Sequence, residues 1–230
     1  MVSREIHVSR QPGVVLFAIT LMVAPVSLVH AGGGPTNNSD SPAGAVTGEL
    51  QNAVGAAKSA YYRGLTSVRK AQMYDAETAK ASSPEKIANA RNKAQKAYGD
   101  SVGAFIDAVT IQPKLHQAWN YLGFANFHLG NYDDAVSAYT KALELNPNNP
   151  EAVAYRGEAY LALDQTEDAK SAYLALYKDS PALAKELMTA LRHWIDAHRL
   201  NAQDVSPADI EALAKWIDER AAIAAATANR

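Results

Sequence analysis

Cysteine is absent from this 230-residue chain. That excludes disulfides, thiol nucleophiles, iron–sulfur clusters and Cys-ligated zinc in one step. A basic excess is also missing: the formal charge is -2 and the sequence pI is near 6.3. Nucleic-acid binders show a positive surplus, so no nucleic-acid partner is expected. Glycine and proline are sparse, at 13 and 10. Alanine, the strongest helix former, occurs 45 times. The expectation is an all-helical protein. Long apolar runs are lacking too. The longest, Val14 to Ala24, has eleven residues, short of the roughly 20 that a membrane span needs.

That run has a different reading. Arg4 and Arg10 precede it, Pro25 breaks it, and Val29-His30-Ala31 offers a cleavage site. This is the layout of a secretory signal peptide over residues 1–31. Export to a periplasm or to the outside is expected, and an uncleaved N-terminal anchor is the rival. No stable membrane span is expected after removal. Without Arg4, Arg10 and Glu5, 20 basic side chains face 23 acidic ones. Residues 32–48, GGGPTNNSDSPAGAVTG, read as a flexible tether.

A helical period follows. Leu50, Val54, Ala57, Tyr61, Leu65 and Val68 fall on one face of a helix to about Lys80. Ser83-Pro84-Glu85 opens a second helix that runs to about Ile111. Beyond it a repeat emerges. Pro113, Pro147 and Pro181 are 34 residues apart, as are Phe105, Tyr139 and Tyr173, and Ser101, Ala135 and Ala169. Gly123 and Gly157 share the spacing. The clean units are 116–149 and 150–183, each a helix, a turn and a second helix. Gly123 and Gly157, with Ala135 and Ala169 opposite, let paired helices approach closely. Trp119, Leu122, Tyr139 and Ala142 fill the space between them. Gly130-Asn131 marks a turn, and Asn146-Pro147 and Asn149-Pro150 stop one helix and start the next. One hairpin cannot bury both faces, so the units must stack.

Trp119, Leu122, Gly123, Ala135, Tyr139, Ala142 and Pro147 give the unit at His116 a close resemblance to a tetratricopeptide repeat, with Asn126 replacing the usual tyrosine. The unit at Pro150 resembles it through Gly157, Tyr160, Ala169, Tyr173 and Pro181. It departs at Val153, at Arg156, where the pattern has leucine, and at Asp164, where the turn has glycine. Upstream, Tyr98, Ser101, Phe105, Ala108 and Pro113 look like the second helix of an earlier unit. Gly64 lies 59 residues before Gly123, so residues 49–115 are expected to form an irregular first repeat lengthened into a long hairpin. Downstream, Leu187, Leu191 and Trp194 open a degenerate unit, and Ser206 caps a last helix faced by Ile210, Leu213, Ile217 and Ala221. Residues 184–230 are read as capping helices, with the run 221–228 fraying.

The resemblance implies an all-α helix-turn-helix solenoid of exported, bacterial type that binds a protein or peptide and needs no cofactor. It implies a concave, peptide-binding groove lined by Asn120, Phe124, Phe127, His128, Ala154, Glu158 and Leu161. Lys58, Tyr61 and Leu65 join them from the irregular unit. Two phenylalanines on a solvent-facing side would mark a contact site; the alternative packs them beneath the long hairpin. Some members clamp a C-terminal carboxylate with Lys, Arg and Asn. Here Tyr121, Glu151 and Tyr155 stand at those places, so chaperone-tail recognition is not expected. Tyr61 and Tyr62 are adjacent, so at most one faces inward. His193, Asp196 and His198 make a poor metal set because His198 points away from the other two. Gly32-Gly33-Gly34 precedes no Lys-Ser or Lys-Thr pair, and no nucleophile elbow appears. The expectation is no enzyme and no metal site, with a structural subunit of a cell-envelope assembly as the alternative role.

Overall fold

The computed structural model describes residues 42–200 and 205–228. The proposed leader and most of the proposed tether lie outside the described residues. The described chain forms eight helices: α1 (Pro42–Lys80), α2 (Pro84–Ile111), α3 (His116–Leu129), α4 (Tyr132–Leu145), α5 (Pro150–Ala162), α6 (Thr166–Tyr177), α7 (Pro181–Leu200) and α8 (Pro207–Ala228). Consecutive helices pack as antiparallel neighbours, so the chain is a helical-repeat solenoid. No described helix is long and apolar enough to cross a membrane. Helix α1 begins seven residues inside the stretch read as tether, and α8 continues through the run expected to fray.

Local chemistry sets the boundaries. The Ser83 hydroxyl accepts from the Lys86 amide and Pro84 takes the first turn of α2. The Asn149 Oδ1 does the same for α5, accepting from the Ala152 amide at 3.2 Å. Gly130 ends α3 with φ 81°, a left-handed conformation that glycine adopts without a Cβ clash. Asn126 departs from the tyrosine of the pattern because it serves this turn: its Oδ1 accepts from Asn131 Nδ2 and its carbonyl from the Asn131 amide.

Within the hairpins a glycine meets an aromatic ring. A Cβ on Gly123 would lie 2.8 Å from the ring of Tyr139, which is fully buried. A Cβ on Gly64 would lie 2.5 Å from Phe105, also fully buried. Tyr139 and Phe105 share a repeat column, so the long α1–α2 hairpin uses the same packing as the regular α3–α4 unit. In α5–α6 the neighbours of Gly157 are Leu187 and Ala172 instead, because α7 docks directly on α5.

The apolar face expected on α1 is only partly buried. Ala57, Tyr61 and Val68 are core, whereas Leu50 and Val54 are 67% and 50% exposed. The cause is length. Ile111 at the end of α2 lies level with Ala56 and Ser59, which share a shallow cleft with it. Earlier residues of α1 therefore extend past their partner. At the other end Ile210, Leu213 and Ile217 of α8 pack with Leu187, Leu191, Trp194 and Ile195 of α7, while Ala221 is exposed. Ser206 caps α8 through the Asp209 amide.

The glycines give a contrast in sign. Gly99 and Gly103 also lie inside a helix, but a Cβ there meets nothing within 4 Å. Gly99→Ala and Gly103→Ala should each raise stability by about 0.5–1 kcal/mol through helix propensity. Gly64→Ala and Gly123→Ala should each lower it by about 1–3 kcal/mol, because the facing ring has no room to retreat. Urea denaturation of the four variants tests this; a uniform sign would refute the glycine–ring packing.

Candidate functional site

Helix contacts define an inner side. The first helices of successive hairpins touch one another: α1 meets α3, α3 meets α5, and α5 meets α7. The second helices α2, α4 and α6 make no comparable contacts with one another. The stack therefore bends with the first helices inside, which is the side where the groove was expected.

The residues expected there divide. Asn120, Phe124, Ala154 and Leu161 are buried, at 8%, 3%, 1% and 6% exposure, and Tyr61 is at 7%. Phe124 is thus a core residue, contrary to the expectation that it faces solvent. Its ring lies 6.2 Å from Tyr98 and 5.5 Å from Tyr155. Tyr98 belongs to α2, so the long hairpin covers this part of α3. Tyr61 is correspondingly locked between Phe105 and Tyr121; Tyr62 is the exposed member of that pair. His128 follows Phe124, stacking on Tyr98 at 4.5 Å with an interplanar angle of 10°. Burial holds its pKa down at about 4. The Tyr98 hydroxyl donates to Asp75 Oδ2 of α1 at 2.6 Å. Lys58 is exposed, and Leu65, Phe127 and Glu158 are half-buried. Phe127 packs edge-on against Tyr132 at 5.5 Å within its own hairpin.

The inner side beside α5 has a different character. Burial and the nearby charge of Glu186 raise the Glu158 carboxyl to about 7. Tyr155, one turn earlier, stacks on Tyr139 of α4 at 6.0 Å and 9°. Its phenol is pushed up by burial and by the charges of Glu158, Glu186 and Glu151. The hydroxyls of Tyr139 and Tyr155, Oδ1 of Asn120 and Oε2 of Glu186 are buried without a hydrogen-bond partner. Buried polar atoms are normally paired, so these four stand out, as do His116 Nδ1, Arg156 Nε and Arg220 Nε. Arg156 does not fill leucine's place as a hydrophobe. It donates from Nη1 to Thr140 Oγ1 of α4 at 3.2 Å and lies over the Tyr160 ring.

Residues 116–149 match a family model described as tetratricopeptide repeat, and residues 138–171 match a second model with the same description. Residues 116–171 are thus similar to tetratricopeptide repeats. The first match is helix for helix the α3–α4 hairpin; the second runs from α4 through α5 into α6. The matched repeats include Asn120, Phe124, Phe127, His128, Ala154, Glu158 and Leu161, whereas Glu186 lies beyond them. No curated protein matches the chain.

Sequence reasoning named Tyr155 only as a residue unlike a carboxylate clamp, and it missed Glu186. The signal for Glu186 was present. It occupies the column of Ala118 and Ala152, both wholly buried. A glutamate in a column of buried alanines is a departure that packing alone does not require. The contact between His198 and Asp164 was also not foreseen. They meet across the last turn, with Nε2 3.1 Å from Asp164 Oδ1.

Two titrations should shape stability, with opposite signs. The folded pKa of His128 lies below its unfolded value of 6.5. Its contribution is present above 6.5 and is lost as pH falls from there towards about 4. The folded pKa of Glu158 lies above its unfolded value of 4.5. Its protonated form favours the fold below 4.5, and stability is lost as pH rises towards about 7. The groups facing Glu158 are Tyr139 of α4, Tyr155 of its own helix and Glu186 of α7. Glu158→Gln should match wild type near pH 4.5 and exceed it by about 1–3 kcal/mol at pH 8. His128→Leu should lose less stability than wild type between pH 7 and pH 4.5. Denaturant titrations across this range measure both, and parallel pH profiles for all three proteins would contradict the burial of these groups.

Proposed function

We propose that this protein is an exported, non-catalytic scaffold that holds a protein or peptide segment against its inner helices. One observation carries the reading: Asn120 of α3, Tyr155 of α5 and Glu186 of α7 each keep a buried polar atom without a partner. An extended peptide supplies amide donors and carbonyl acceptors at regular intervals, which suits such a line. Tetratricopeptide repeats generally mediate protein–protein contacts, in keeping with this role. Because the hairpin covers Phe124 and Tyr61, the open stretch runs from Phe127 past Glu158 towards α7. A preformed surface lowers the ordering cost of binding. Export rests on the leader-like residues 1–31, and a periplasmic or secreted location follows from it.

A second reading, a permanent subunit of an envelope assembly, draws on the exposed Leu50 and Val54 of the overhanging end of α1. Light scattering separates the two, since a scaffold should purify as a monomer and a subunit as a larger species.

The groove reading is tested by quantitative capture from envelope extracts. Phe127→Ala should weaken retention of the principal captured protein about thirtyfold, as expected for about 2 kcal/mol at an aromatic hot spot. Helical circular dichroism should be unchanged. Glu144→Ala, on the outer helix α4, should retain it fully. Equal retention by all three proteins would place the contact elsewhere. Separately, mass spectrometry of the protein from its native compartment should begin at Gly32, and an intact Met1 chain there would overturn cleavage.

A further inference from the structure

Two carboxylates occupy repeat columns that carry no charge in the preceding hairpin. Glu158 follows Phe124, and Glu186 follows Ala118 and Ala152. Glu186 is half-buried with Oε2 enclosed, and its charge acts on both Glu158 and Tyr155. Tyr155 is 4% exposed and its enclosed hydroxyl has no partner. The three groups come from α5 and α7, helices in direct contact. Among the described residues, no Lys or Arg forms an ion pair with either carboxylate. Arg156, two residues before Glu158, is turned to Thr140 and Tyr160 with its Nε unpartnered, and Lys185, next to Glu186, is exposed.

Such an arrangement is costly in the empty protein. Desolvated like charges repel, and either a proton on one carboxylate, as the raised Glu158 carboxyl shows, or a bound cation relieves them. The donor set points to its class. A calcium ion takes six to eight oxygens, most of them charged or carbonyl; two carboxylates and one neutral phenol fall short. A guanidinium presents a planar fork, best met by one bidentate carboxylate. A primary ammonium carries three N–H donors, and Glu158, Glu186 and the Tyr155 hydroxyl provide three oxygen acceptors.

We propose that the inner edge between α5 and α7 is a pocket for a primary ammonium group, the side chain of a lysine on the partner's docking segment, held by Glu158, Glu186 and Tyr155. The proposal rests on the groove reading and narrows it to a partner with a lysine in the bound stretch. It also accounts for the mismatch with a carboxylate clamp, since the groove selects the opposite charge. Glu158 and Glu186 then lower intrinsic stability while serving recognition.

The test uses the full chain and a capped Ala-Lys-Ala tripeptide as probe, followed by amide chemical shifts at low ionic strength. The acetyl-lysine tripeptide is the neutral control. Saturable shifts should centre on Glu158 and Glu186 with the lysine peptide and be absent with the control. Glu158→Gln and Glu186→Gln should each weaken binding at least about tenfold. Both variants should be as stable as wild type or more so at pH 8, so that weaker binding cannot be ascribed to unfolding. Glu144→Gln, whose carboxylate pairs with Lys141 on an outer helix, should bind as wild type does. Equal binding of the acetylated peptide, unchanged affinity in the two glutamine variants, or shifts centred on exposed Glu167 and Asp168 would each overturn the pocket. So would the absence of any lysine-dependent shift, while the capture result with Phe127→Ala decides the groove independently.

Discussion

The solenoid depends on how closely two antiparallel helices can approach with a large ring between them. Gly123 and Gly64, lacking a Cβ, leave the gap, and Tyr139 and Phe105 fill it. These rings are fully buried, so each fixes the rotation and height of one helix against the other. Once the hairpin is set, its remaining faces are apolar and must be covered by neighbours. Stacking then follows. Phe105 lies against Tyr121 at 5.6 Å and Tyr139 against Tyr155 at 6.0 Å. The same rings that lock a hairpin therefore also seat the next one. Packing within and between units is one continuous structure, and a change at a glycine propagates into both.

This economy has a consequence for the inner surface. Because aromatic rings carry the stacking, their hydroxyls are drawn into the interior with them. The hydroxyls of Tyr139 and Tyr155 are enclosed without partners, a cost of about 1–3 kcal/mol for each lost hydrogen bond in general terms. Phenylalanine would stack equally well. Tyrosine at these places therefore lowers stability for no packing gain.

The repeat period made the architecture legible. Columns 34 residues apart located both regular hairpins, and Ser83-Pro84 and Asn149-Pro150 gave helix starts that their caps explain. Gly64 and Phe105 revealed the long hairpin because an inserted stretch preserves chemistry at its ends. Period alone was a poor guide to exposure. Phe124 occupies a column that faces inward in a regular stack, yet Tyr98 of α2 packs over it. Leu50 and Val54 show the converse: a clean helical face stays exposed because α2 ends too early to cover it. The exposure of Leu50 and Val54 depends on relative helix length, which a column cannot encode. Glu186 was overlooked for another reason. It belongs to a segment read as capping, and only the packing of α7 on α5 brings its charge to act on Glu158.

The closing end of the stack follows from a local departure. The regular turn carries Gly130 in the left-handed conformation; the next one carries Asp164 there, with φ 59°. Aspartate tolerates this region better than most residues but not as well as glycine. Its side chain compensates by reaching α7. Oδ1 accepts from Trp194 Nε1 at 2.9 Å and faces His198 Nε2 at 3.1 Å. The Trp194 carbonyl lies 2.8 Å from His198 Nδ1, and a carbonyl can only accept, so that nitrogen carries a proton. The imidazole also stacks on the Trp194 indole at 4.0 Å. A glycine would relax the turn and leave the indole N–H unpaired. The substitution thus exchanges backbone ease in α5–α6 for attachment of α7, the helix that brings Glu186 to Glu158. The turn and α7 are consequently one mechanical unit: the side chain that departs from the repeat pattern anchors the helix whose Glu186 charge acts on Glu158.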